Sequence, residues 1–136
     1  MAPIPENSSV ISNLRDYDTN TPFLCQLEGT TGPILMVEYM TVPDGQHEKI
    51  IETWFEDFDV MSKQPGCIGA QIRRGTAGSD LLLNIAQWES TEAFRNAFKR
   101  TEFENHFSKY PAEMKSYHHI FELAPILHPK KPAKPE

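Results

Sequence analysis

Basic residues are in the minority in this chain: 13 Lys and Arg stand against 19 Asp and Glu, a net charge of −6 over 136 residues. A nucleic-acid-binding face needs clustered positive charge. The one basic cluster, Lys130, Lys131 and Lys134, sits in a proline-rich end that reads as a solvated tail. Cysteine is scarcer still. Cys25 and Cys67 have neither CxxC nor metal-ligand spacing. They read as free thiols, with a disulfide between them as the alternative. No apolar run approaches membrane-spanning length, and the start, Met1 to Asn7, lacks the basic and apolar regions of a signal peptide. The expectation is a soluble cytoplasmic protein with neither nucleic acid nor membrane as partner. There is no P-loop, dinucleotide fingerprint or HExxH motif. His118 and His119 are neighbours on a predicted strand and so point to opposite faces. They cannot both ligate one ion, and no metal is expected. One of them should be exposed while the other packs or hydrogen-bonds.

What is present suffices for one domain, large enough to bury a core without staples. Residues 1–32 are polar and rich in turn formers and read as an N-terminal extension, with Phe23 to Leu27 able to dock as a short strand. Residues 125–136 read as an extended Pro/Lys tail. The domain proper is 33–124. Ile34 to Val42 is a strand candidate closed by Pro43-Asp44-Gly45, with Asp44 placed to cap the next helix. In that helix Ile50, Ile51, Trp54, Phe55, Phe58 and Met61 recur every three or four residues. Pro65-Gly66 turns the chain into a strand from Cys67 to about Arg74, with Ile68, Ala70 and Ile72 on one face. A hairpin loop leads to the strand Leu81 to Trp88. Ser90 caps a helix whose stripe is Ala93, Phe94, Ala97 and Phe98. Thr101 to Glu104 fits a capping box for a second short helical piece, which Tyr110-Pro111 ends. The last strand runs from about Lys115 to Leu123.

The order β-α-β-β-α-β predicts a ferredoxin-like α+β fold: a four-stranded antiparallel sheet with helices on one face. The first and third strands are apolar on both sides, so the helix-free face needs a cover. A second copy of the chain is the simplest one, and the N-terminal extension is the rival.

The run Gln64-Pro65-Gly66-Cys67-Ile68-Gly69, followed by Asn84-Ile85-Ala86-Gln87-Trp88-Glu89-Ser90 and a Phe-bearing helix, resembles the antibiotic biosynthesis monooxygenase family of dimeric α+β barrels. There, Pro-Gly opens the second strand, while Asn-x-x-x-Trp-Glu-Ser closes the third and caps the following helix. The resemblance spans roughly Pro33 to Leu123. It implies a homodimer and, in the anthrone-oxygenase branch, oxidation of polycyclic phenols by O2 without metal or flavin. On that reading Asn84 and Trp88 match the family's Asn and Trp. Two departures stand out: Phe94 occupies the place of a helix Tyr. In addition, Glu38, Ala97 and Phe107 replace the Asn, Trp and His of the haem-degrading branch, which argues against haem degradation.

A substrate-derived carbanion can reduce O2 itself, so the protein need supply only a dry pocket, a base and donors for the developing oxyanion. Asn84 and Trp88, four apart on a strand, share a face and are the candidate donors. Glu38, between Met36 and Met40, is the candidate base, with burial expected to raise its pKa. The rival role for Glu38 is an ion pair with Arg73, Arg74 or Lys115. Trp54, Phe55, Phe58, Phe94, Phe98 and Phe103 are the candidate walls of a pocket for a flat aromatic ligand. His106, Tyr117 and His119, with Tyr39, are candidate polar groups at its rim. The expected substrate is an aromatic, polyketide-like phenol or anthrone, used with O2 and no resident cofactor; externally reduced flavin is a variant the sequence does not separate. The alternatives are a non-oxidative isomerase or cyclase and a non-catalytic dimeric binding module.

Overall fold

The computed structural model describes residues 13–123, the side chain of Glu104 excepted. Its frame is four strands, β2 (Ile34–Thr41), β3 (Cys67–Arg74), β4 (Leu81–Trp88) and β5 (Lys115–Glu122), alternating with α2 (His47–Met61) and α3 (Thr91–Arg100). This is the ferredoxin-like order that the periodicity predicts. A 3-10 helix, Phe103–Lys109, follows α3. Ahead of the frame lie β1 (Leu14–Asp16) and the single-turn α1 (Phe23–Gln26). Residues 1–12 and the Pro/Lys tail at 125–136 fall outside the described residues.

The sheet has five strands rather than four, in the order β1-β5-β2-β4-β3. β1 pairs parallel with β5 while the other ladders are antiparallel. A three-residue edge strand with one apolar side chain, Leu14, shows no alternation from which it could be read. Phe23 to Leu27 forms a helical turn, not a strand: the N–H groups of Cys25 and Gln26 bond back to the Pro22 carbonyl and that of Leu27 to Phe23. The extension is tied down by polar contacts. Asp16 Oδ1 accepts from the Phe23 N–H at 2.7 Å, and Gln26 Oε1 from the Ile120 N–H at 2.7 Å. Arg95 donates to the carbonyls of Leu27 and Gly29 at 2.7 and 2.9 Å.

Strand alternation sorts the side chains into two faces. Ile34, Met36, Glu38 and Met40 of β2, with Leu82, Asn84, Ala86 and Trp88 of β4, are buried beneath the helices. Leu35, Val37, Tyr39, Leu83 and Ile85 are half-buried on the opposite, helix-free face. The extension reaches that face through Tyr17, whose ring meets Tyr39 edge-on at 5.6 Å.

Three local expectations are corrected. A bulge between Cys67 and Gly69 turns Ile68 outward to 57% exposure instead of aligning it with Ala70 and Ile72. The N-cap of α2 is Gln46, with no side-chain cap, rather than Asp44. No capping box forms at Thr101: its hydroxyl donates to the Ala97 carbonyl at 2.8 Å at the end of α3, and Glu102 is left-handed at φ 51°. Ser90 does cap α3, accepting from the Ala93 N–H at 3.0 Å. Gly66 has φ +89°, and a Cβ there would stand 2.5 Å from that of Ala93. Its carbonyl accepts from the Glu89 N–H at 2.8 Å. The Pro-Gly turn and the Trp-Glu-Ser corner are thus one packed unit that seats α3 on the sheet.

Candidate active site

Register builds the polar centre of the site. Glu38 lies directly opposite Asn84 on one side and His118 on the other, so three neighbouring strands contribute one row of side chains to the helix-covered face. Asn84 Nδ2 donates to Glu38 Oε1 at 3.0 Å, and His118 Nε2 stands 3.3 Å from Glu38 Oε2. His118 is also 3.3 Å from the Ser116 carbonyl through Nδ1, so both ring nitrogens face acceptors.

Burial alone pushes the Glu38 carboxyl up, but the positive charge of His118 and the hydrogen bonds from His118 and Asn84 together outweigh it. Glu38 is therefore held below the usual carboxylate range. The expectation of a raised pKa is corrected, and the partner is His118 rather than Arg73, Arg74 or Lys115. Arg74 instead pairs with Glu48 at the surface.

Above this row an aromatic cavity opens between sheet and helices. Its floor is shallow because Ala70 and Ala86 occupy it, and Trp54, Phe58, Phe94, Phe98 and Phe103 wall it. The cavity measures about 70 Å³, several times the roughly 10–15 Å³ that one water needs. Two buried polar atoms of lining residues make no hydrogen bond: Asn84 Oδ1, an acceptor, and Trp88 Nε1, a donor.

A second polar group lies across the cavity. Asp57 of α2 is only 4% exposed, yet three donors converge on it. His106 Nδ1 and Lys109 Nζ each reach Oδ1 at 2.7 Å, and the Tyr110 hydroxyl donates to Oδ2 at 2.7 Å. Burial, with the charge and hydrogen bond of Asp57, pushes the Tyr110 hydroxyl far up, and Glu38 adds to the effect. Tyr110 stays protonated throughout the working range.

Glu38, Asn84, Trp88, Trp54, Phe58, Phe94, Phe98 and Phe103 thus converge on one cavity. Other expected site residues do not. Phe55 is 56% exposed, because the helical turn that points Trp54 inward carries its neighbour out. Tyr117 and His119 alternate with the buried Ser116 and His118 and so lie on the helix-free face, where Tyr117 stacks on Tyr39 at 5.0 Å. His106 stacks on Phe103 at 4.7 Å and serves Asp57 from the rim.

The participants missed include Phe23, Asp57, Phe107, Tyr110 and His118. Asp57 did leave a signal, an acid three residues after Trp54 and four before Met61 on the apolar stripe. Among the described residues no three His, Cys, Asp or Glu side chains gather as a metal site, and no helix is long and apolar enough to cross a membrane.

These features define a class: a ferredoxin-like α+β domain whose mixed sheet and helices flank an aromatic cavity with an ionised acid in its floor. The chain belongs to the antibiotic biosynthesis monooxygenase family, whose model matches residues 33–109. Phe23, Tyr110 and His118 lie outside the matched span. Among solved structures, SnoaB, a cofactor-independent oxygenase from Streptomyces nogalater, is 24% identical, with a TM-score of 0.63 over 71% of this chain and 98% of that one. A monooxygenase candidate from Shewanella loihica PV-4 is 22% identical, with a TM-score of 0.59 over 72% of this chain and all of that one. A variant of MhuD with two manganese protoporphyrin IX molecules bound per active site is 19% identical, with a TM-score of 0.58 over 71% and 99%. At these identities the likeness speaks to the fold. No curated protein matches the chain.

Proposed function

We propose that this protein is an oxygenase of a hydroxylated, polyketide-like aromatic, acting in the cytoplasm on an anthrone or phenol without a resident cofactor. The observation that carries the reading is the pair of unsatisfied buried polar atoms, Trp88 Nε1 and Asn84 Oδ1, on two residues that line an aromatic cavity beside the ionised Glu38. A buried polar atom left unpaired costs about 1–3 kcal/mol. A ligand that offers an oxygen acceptor to Trp88 and a hydroxyl donor to Asn84 removes both penalties at once.

The chemistry balances without a further reductant. A proton leaves the activated ring carbon, the carbanion reduces O2 as a C–O bond forms, and the proton returns to the peroxide. Loss of water then leaves a new carbonyl. Glu38 takes and returns the proton. Held below its ordinary pKa, it is a weak base, so the Trp88 N–H must stabilise the developing oxyanion to bring the substrate's acidity within reach. Membership of a monooxygenase family and the SnoaB-like fold support this reading.

A second copy of the chain covers the helix-free face. Its half-buried apolar row, Leu35, Val37, Leu83 and Ile85, is continuous across β2 and β4, and apolar patches mark association surfaces.

A second reading is favoured by the Glu38–His118 pair: proton shuttling alone, as in an isomerase or cyclase. Oxygen uptake by metal-free protein against a panel of anthrones and naphthols, with and without reduced flavin, separates the two. Uptake above the blank without flavin supports the oxygenase. Product formation that persists under nitrogen supports the isomerase and removes the oxygenase reading.

A further inference from the structure

The Asp57 group lies outside the chemistry just described, and its geometry is specific. The Tyr110 hydroxyl spends its one proton on Asp57 Oδ2. Its oxygen, on a residue that lines the cavity, can then only accept. His106 and Lys109 occupy Oδ1, which fixes the carboxylate from the rim and leaves it no freedom to turn toward a ligand. At the sheet side the demands differ: Trp88 Nε1 requires an acceptor and Asn84 Oδ1 a donor. Between the two poles the walls are aromatic.

We infer that Tyr110, oriented by Asp57, is a second recognition pole that binds a hydroxyl on the edge of the ligand remote from Glu38, so that the preferred substrates are flat aromatics carrying donor hydroxyls at opposite edges. This deepens the oxygenase reading and rests on it for the identity of the reacting edge; the remote contact itself is a matter of binding. A carbonyl or ether at the remote edge cannot serve, since it would set acceptor against acceptor. The raised pKa of Tyr110 keeps its proton on the Asp57 hydrogen bond and so preserves this polarity.

The test is calorimetric titration under nitrogen, where no oxygen is consumed, with 1-naphthol, 1,5-dihydroxynaphthalene and 5-methoxy-1-naphthol. The diol is expected to bind the unaltered protein about tenfold more tightly than 1-naphthol, the worth of one neutral hydrogen bond. The methoxy compound should show no gain. Tyr110→Phe should erase the diol's advantage over 1-naphthol, and Asp57→Asn should reduce it by releasing the Tyr110 hydroxyl. Equal binding of the naphthol and the diol to the unaltered protein, no binding of either, or an advantage that survives Tyr110→Phe overturns the inference. Failure of the oxygenase reading looks different: the diol's preference is intact, but no oxygen is taken up when air is admitted.

Discussion

The Asn84 side-chain amide donates to Glu38 at 3.0 Å across the β2–β4 ladder, while His118 meets the other carboxylate oxygen from β5 at 3.3 Å. The pair is fixed by backbone register rather than by flexible side chains, since Glu38 is the direct ladder partner of both. Asn84→Ala removes a donor from a buried anion, and hydrogen bonds to charged groups are worth about 1.5–3 kcal/mol. Denaturant unfolding is expected to show a loss of that size, together with lower oxygen uptake. An unchanged midpoint would mean that Glu38 does not depend on Asn84.

The same carboxylate sets an acid limit on stability. Its folded pKa lies below the ordinary 4.5, despite burial, because His118 and the hydrogen bonds favour the anion. A depressed folded pKa contributes stability that is present above the unfolded value and is lost as pH falls through the folded one. Melting temperature should therefore fall as pH drops below about 4.5, and Glu38→Gln should flatten that acid limb. Superimposable acid limbs for the two proteins would assign acid unfolding to other groups.

The frame of the fold was legible because its signals are local: three- and four-residue apolar spacing in α2 and α3, alternation in β2 and β4, and Ser90 as a cap. The site was legible where local spacing carries it: Asn84 and Trp88 share a strand face, and the aromatic walls Trp54, Phe58, Phe94 and Phe98 lie on the apolar stripes of α2 and α3. The contact of Glu38 with His118 depends on the β2–β5 register, which links residues 80 positions apart, and no local pattern specifies it. Adjacency told that His118 and His119 part company, but not which of them turns inward. Phe55 was misplaced for a related reason. A stripe that already holds Trp54 and Phe58 has no room for the side chain between them, yet its composition suits either face.

Phe23 comes from the extension, ahead of the family-matched span, and still packs on the site. It is 1% exposed, and its ring lies 4.8 Å from that of His118 and 6.1 Å from that of Phe94. Phe23→Ala is expected to cost about 3–5 kcal/mol. Phe23→Leu should keep the fold while loosening His118 against Glu38, lowering kcat more than it raises KM. A variant with unaltered kcat would reduce Phe23 to packing.

Covering of the helix-free face by a second copy has its own test. Light scattering at micromolar concentration should give twice the 15.5 kDa chain mass. Ile85→Arg, a charge placed in the apolar row and remote from the cavity face, should shift the protein toward monomer. A monomeric unaltered protein would end the homodimer proposal and leave the N-terminal extension as the cover of that face.

Trp88 offers the sharpest separation of stability from activity. Its indole is 1% exposed and packs on Phe94 with ring centres 5.2 Å apart, yet its N–H has no acceptor. Trp88→Phe removes buried apolar volume, which destabilises, and also removes the unpaired donor, whose burial costs about 1–3 kcal/mol. The two changes oppose each other, so net stability should move by no more than about 1–2 kcal/mol, well short of the Phe23→Ala loss. Turnover responds to only one of them. If the N–H is aimed at the developing oxyanion, its removal should lower kcat by about 10²–10³-fold, as for other single oxyanion donors. A stability loss as large as that of Phe23→Ala with kcat preserved would make Trp88 a packing residue and shift the oxyanion role to Asn84.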